Sequence, residues 1–215
     1  MIINNLTVEN ISNANEEFVN VFYNIINNLD LKLVNIINAH NTKIILANKL
    51  SDVLTPRNDI EKYQDYHPNN RDELTHGLCS DTINALCIFA EATEIFYIEA
   101  FLYHEIGHLI DVFQDWGKEE VKGFLSTQKK FVEAYKNDIT KHWDKIKNDN
   151  RFRLKHYIQG STPDKISNAG LCETFAFCFA RNNHKTEDID IISDYFKETL
   201  LVAKKITDKY LMNSE

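Results

Sequence analysis

Three prolines and six glycines are few for 215 residues, and their scarcity excludes Gly-rich flexible linkers and Pro-rich ligand segments. The four cysteines, Cys79, Cys87, Cys172 and Cys178, form no C-x-x-C pair. That spacing argues against a cysteine-based zinc site and a dense disulfide framework. Buried thiols in a reducing compartment are the expectation instead. Basic charge is scarce as well. The net charge is -8, and pairs such as Lys129-Lys130 and Lys204-Lys205 sit among acids on helical segments. A phosphate-binding surface needs a basic stripe, so no nucleic-acid partner is expected. No apolar run approaches the ~18 residues of a membrane span, so none is expected. The opening stretch "MIINNLTVENISNANEEF" lacks a basic region followed by an apolar one, and no signal peptide is expected from it.

What is present is ordinary for a soluble globular chain: 43% apolar and 26% charged residues. The length suits a single domain over 1–215. Phe18, Val21, Phe22, Ile25 and Ile26 recur at helical spacing over 15–28, and Glu16 and Glu17 suit a first turn. A second helix is expected over 30–40. "TKIILA" at 42–47 is a β-branched run and reads as a strand. The polar stretch after it contains Pro56 and Pro68 and reads as loop. Residues 77–92 read as a hairpin, with Ser80-Asp81 as the turn and 83–90 as its second strand. A helix is expected from about Ile95 to about Trp116, ended by Gly117. Residues 118–147 are an amphipathic helix, with Val121, Phe124, Leu125, Phe131, Val132 and Tyr135 as core positions. Asn168 caps a helix over "LCETFAFCFARN", and a last helix spans about 187–210. The pattern is α+β, dominated by helices, with a small sheet. It divides into N-terminal helices over 1–40, a sheet and hairpin over 42–92, the 95–116 helix, and a helical part over 118–215.

The chemistry concentrates in "AFLYHEIGHLIDVF", residues 100–113. Positions i and i+4 of a helix lie one above the other, so His104 and His108 project two imidazoles to one point. Zinc takes nitrogen ligands at ~2.0–2.1 Å. Glu105 stands about 100° further round the helix, placed to bond a water at the metal and act as general base. Gly107 allows a close approach. Asp111, two turns after His104, is positioned to accept a histidine N–H from the outer side of the site.

A catalytic zinc needs three protein ligands and one open position. Glu173 is the only acid in an apolar helix, and a lone carboxylate there is costly to bury unless paired or metal-bound. Ala176 and Ala180 share its face and allow close packing on the histidine helix. Glu173 is the favoured third ligand, with Asp164, Glu187 and His184 as competitors.

The stretch His104 to Asp111, followed by "ETFAFCFA" from Glu173, resembles the gluzincin arrangement of the anthrax lethal factor-like metalloproteases, a bacterial virulence group that includes the Pro-Pro endopeptidases. The resemblance spans about residues 30–185, its specific part being the two short motifs. It implies a zincin-like fold, zinc as the cofactor on His104, His108 and Glu173, and Glu105 as the water-activating base. It also implies a protein or peptide substrate held along strand 83–90 by Asn84, Leu86 and Ile88, by strand addition. Secretion or delivery to a host cell is implied as well. Separately, a monomer is expected. The family has a tyrosine seven residues before the glutamate ligand, steadying the oxyanion. Here that position is Ile166, and Tyr157 is the candidate substitute. Two other readings stand beside the endopeptidase. One is a regulatory protease that cuts a repressor, whose glutamate follows its motif much sooner. The other is a non-catalytic binding protein whose metal is closed by a fourth ligand from His76, His156 or His184.

Overall fold

The computed structural model describes residues 1–54, 75–80, 83–112, 124–184 and 194–212. Among the described residues the fold is α+β, dominated by helices, with one small mixed sheet. The chain divides into two compact units, Met1–Glu105 and Ile106–Glu215. The turn at Asp81, the core position Val121, the helix end at Trp116 and Gly117, and the candidate ligand Glu187 lie outside the described residues.

The first unit opens on two strands, β1 (Ile2–Ile3) and β2 (Leu6–Asn10), where helices alone were expected. Asn4 and Asn5 link them with φ of 50° and 62°. Two successive positive φ angles are what a two-residue hairpin turn of the primed type requires. Asparagine reaches this region more easily than most residues because its short amide bonds locally. Here Asn4 Nδ2 donates to the carbonyls of Ile26 and Leu29 at 3.2 and 3.3 Å, tying the turn to the first helix.

That helix, α1 (Glu16–Asn27), starts where Asn15 Oδ1 accepts from the Phe18 N–H. It buries Phe18, Phe22 and Ile26. The short α2 (Leu31–Ala39) is capped by Asp30 and buries Leu33, Val34, Ile36 and Ile37. Strand β3 (Lys43–Ala47) follows, and then β4 (Gly77–Ser80) and β5 (Ala85–Phe89) form the expected hairpin. The sheet order is β1-β2-β3-β5-β4, antiparallel at both ends and parallel in the middle. Strand β5 is therefore an inner strand, which explains its unbroken burial. One face of the sheet packs Ile45, Ala47, Leu78, Ala85, Cys87 and Phe89 against Leu50 and Leu54. Cys79 and Cys87 are not paired opposite each other, since the register sets Leu78 against Cys87 and Cys79 against Leu86. None of the four cysteines forms a disulfide.

His40 ends α2, and burial pulls its imidazole from the ordinary 6.5 to about 4. Because the folded value is the lower one, the unfolded chain takes up the proton first as the pH falls. The stability contributed by neutral His40 is therefore complete above 6.5 and lost as the pH falls from there through about 4. Thermal unfolding across that window is expected to show a drop in the wild type that His40→Gln reduces. Parallel curves for the two proteins would remove His40 from the account.

Helix α3 (Ile98–Val112) follows a single 3-10 turn at Ile95–Tyr97. Ile98, Leu102, Ile106, Leu109 and Ile110 are fully buried, a spacing of three to four residues that fixes one face inward.

The second unit packs α4 (Lys129–Ile146), α5 (Phe152–Ile158), α6 (Asn168–Asn183) and α7 (Lys197–Met212). Phe131 meets Phe175 edge-on at 5.5 Å and Tyr135 stacks on Phe196 at 5.7 Å. Phe124 was expected in the core but is 38% exposed, because it stands in the turn before α4 rather than on the helix. Helix α6 starts one residue earlier than expected. Ser167, not Asn168, is its cap, accepting from the Gly170 N–H at 2.9 Å. Asp138 of α4 accepts from both the N–H and hydroxyl of Thr199, each at 2.8 Å, which fixes the start of α7.

Candidate metal centre

Helix α3 holds His104 and His108 one turn apart, on the face that helical geometry dictates. His104 is 6% exposed and Glu105 5%. Helix α6 supplies Glu173, whose Oε2 lies 3.6 Å from His108 Nε2. One ligand atom from each of His104, His108 and Glu173 lies within 4.8 Å of the others.

Small residues allow this approach. A Cβ built at Gly107 would stand 2.8 Å from Ala176 Cα and 3.1 Å from Ala176 O. Those are backbone atoms, closer than carbon and its neighbours settle without repulsion. Gly107 therefore lets α6 lie directly on α3 at Ala176, one turn beyond Glu173 on the same face.

Asp111 adds a clamp, though a different one from that expected. Its Oδ1 accepts the backbone N–H of Leu125 at 2.9 Å and of Ser126 at 2.7 Å. Its Oδ2 has no hydrogen-bond partner among the described residues. The carboxylate thus caps the chain leading into α4 rather than accepting a histidine N–H. Full burial pushes its pKa up, against the pull of the Ser126 and Leu125 bonds and the charge of His108. Ser126 Oγ in turn lies 3.6 Å from Cys172 Sγ, next to Glu173. The end of α3 and the start of α6 are linked through these contacts.

Glu105 projects toward β4. A Cβ at Gly77 would stand 2.7 Å from Glu105 Oε1 and 3.0 Å from its Cγ. Burial, and then the negative charge of Glu105, push the Cys87 thiol up, which agrees with a carboxylate beside β4 and β5.

Among the described residues, the rival ligands Asp164, His184 and His76 are not part of this group. Asp164 is exposed, in a turn closed by Thr162 and Lys165. His184 is the C-terminal cap of α6, three turns past Glu173. His76 stacks on Phe101 with ring centroids at 4.3 Å. The side chain of His156 lies outside what the structure describes. Tyr157, on α5, is 1% exposed, and its ring lies 3.9 Å from that of Phe177, one turn past Glu173. Thr174 Oγ1 donates to the Tyr157 carbonyl at 2.9 Å, holding α5 against the glutamate helix.

The substrate strand requires correction. Leu86 and Ile88 are fully buried on β5, which is paired to β3 on one side and β4 on the other. Such a strand has no edge to add a peptide to. Asn84 is a turn residue with φ of 48°. Its amide is engaged in structure, accepting from Thr42 Oγ1 at 3.1 Å and donating to the His40 and Asn41 carbonyls at 3.2 and 3.1 Å. Among the described residues the outer strand at this end of the sheet is β4.

No helix of the described residues is long and apolar enough to cross a membrane. Comparison with known protein families and with characterised proteins gave no match.

Proposed function

We propose that this chain is a zinc-dependent endopeptidase that hydrolyses an internal bond of an extended peptide or protein. One observation carries the reading: two histidines of one helix and a glutamate of another converge to within 4.8 Å. Two imidazole nitrogens and a carboxylate oxygen are a donor set that suits zinc. A carboxylate in an apolar helix, costly on its own, is accounted for by a cation between it and the imidazoles. Zinc held by these three residues would keep a position open for water or substrate.

Zinc bound there would polarise the scissile carbonyl and bring the acidity of water into the neutral range. The chain's own groups do the rest. Glu105, buried beside His104, takes a proton from the attacking water and passes it to the departing amine nitrogen. Tyr157, packed on Phe177, is the tyrosine we assign to the oxyanion, in place of the one that Ile166 displaces. The substrate backbone adds to the outer strand β4, whose Gly77 adjoins Glu105.

The test is cleavage of an unbiased peptide library by the zinc-loaded protein, read by mass spectrometry. Internal cuts that a chelator abolishes and added zinc restores are expected. A fully zinc-loaded protein that cuts no peptide would overturn the assignment.

A further inference from the structure

We propose that Gly77 is a positioning residue for Glu105, its missing side chain being the space in which the Glu105 carboxylate is held. This rests on the assignment of Glu105 as the general base. Gly77 lies within β4, and its φ is not in the left-handed region. The backbone there is one that alanine or serine adopts equally well, so no turn requires the glycine. A glycine inside a strand weakens it and often marks close approach by another group. The approaching group is Glu105. A Cβ at position 77 would meet Glu105 Oε1 at 2.7 Å, Glu105 Cγ at 3.0 Å and Cys87 O at 3.1 Å.

Relief of that crowding has one direction. The Cys87 carbonyl belongs to β5, held by ladders on both sides. The start of β4 is also fixed. The His76 carbonyl accepts from the Phe89 N–H at 3.0 Å and from Thr93 Oγ1 at 3.2 Å. The His76 ring stacks on Phe101 at 4.3 Å with 8° between planes, one turn ahead of Glu105 on α3. Strand and helix are thereby held together next to the glycine. Glu105, 5% exposed, is the part that turns about its own side-chain bonds. A methyl group at position 77 therefore moves the carboxylate before it moves the fold, and a misplacement of ~1 Å costs about 10²-fold in rate.

The experiment compares wild type, Gly77→Ala, Glu105→Ala and the double variant. Zinc-loaded Gly77→Ala is expected to keep its metal content and KM and to lose about 10²-fold in kcat. Carbon-13 NMR of labelled glutamate, with Glu105 assigned by its loss in Glu105→Gln, is expected to show a moved Glu105 carboxyl signal in Gly77→Ala. Thermal unfolding supplies the coupling: Gly77→Ala lowers the melting temperature in the wild-type background and does so less in Glu105→Ala. Unchanged kcat with an unmoved carboxyl signal overturns the proposal. So does an equal loss of stability, or failure to fold, in both backgrounds, since the clash is then with the strand. If the wild type cuts no peptide while the signal and the coupling behave as stated, the endopeptidase assignment fails and the Gly77–Glu105 contact stands.

Discussion

Glu105→Gln is expected to retain one zinc per chain and to lose peptide cleavage by about 10²–10⁴-fold, the usual contribution of a positioned general base. The substitution keeps the size of the side chain and removes its ability to take a proton. Size matters at this position, because the carboxylate fits against Gly77 with almost no spare room. A smaller residue would confound loss of chemistry with loss of packing. The amide also leaves His104 and His108 untouched, since neither the helix nor its apolar face changes. Equal zinc content and steady-state kinetics on one library-derived peptide, for both proteins, provide the check. Undiminished kcat in the glutamine variant would remove Glu105 from the mechanism.

Glu173→Ala is expected to lose zinc while keeping, or slightly raising, the stability of the metal-free protein. The carboxylate has 12% of its side chain exposed and sits 3.6 Å from His108 Nε2. Without a cation it is a nearly buried acid beside a histidine, and the cost of burying the charge offsets most of what such a pair contributes to folding. Its removal leaves in place the close approach of α6 to α3 at Gly107 and Ala176. With zinc present the order reverses. A ligand that binds only the folded chain raises its melting temperature by mass action. The wild type gains this and the variant does not. The loss of affinity exceeds the ~10–100-fold that follows removal of a residue merely supporting a ligand. The wild-type gain also shrinks as the pH is lowered, because protons compete for the imidazoles and the carboxylate.

The parts legible in the sequence are those whose signal is local or periodic. The two imidazoles one turn apart follow from helix geometry alone. Glu173 was readable because an acid amid Leu171, Phe175, Phe177 and Phe179 has no bland explanation that costs little. Ala176 and Gly107 could be read as small residues permitting contact, and they meet at 2.8 Å between a built Cβ and the Ala176 Cα. The N-terminal strands were missed for a specific reason. "IINNLTVEN" is short, and Asn-Asn is a weaker turn sign than Asn-Gly, although Asn4, Asn5, Asn41 and Asn84 all take positive φ. Part of the asparagine usage is thus turn chemistry.

What depended on strand order could not be read at all. A hairpin does not reveal which of its strands faces outward, so 83–90 looked available to a substrate. Pairing of β3 with β5 is a contact between distant segments, set by burial of both faces of β5. Among the described residues it makes β4 the outer strand, and Asn84 ties the start of β5 to the turn before β3 rather than contacting a substrate. Asp111 bonds Leu125 and Ser126, which stand in a turn before α4 where a continuous helix was expected. The aim of a carboxylate depends on such loops. Helical spacing says only which side it leaves from.

The central claim is that His104, His108 and Glu173 hold a zinc ion. Elemental analysis of wild type and Glu173→Ala, purified in parallel and incubated with zinc before removal of the excess, tests it most directly. The account predicts about one zinc per wild-type chain and little or none in the variant. Wild-type protein that holds no zinc, or a variant that holds as much as the wild type, would contradict it.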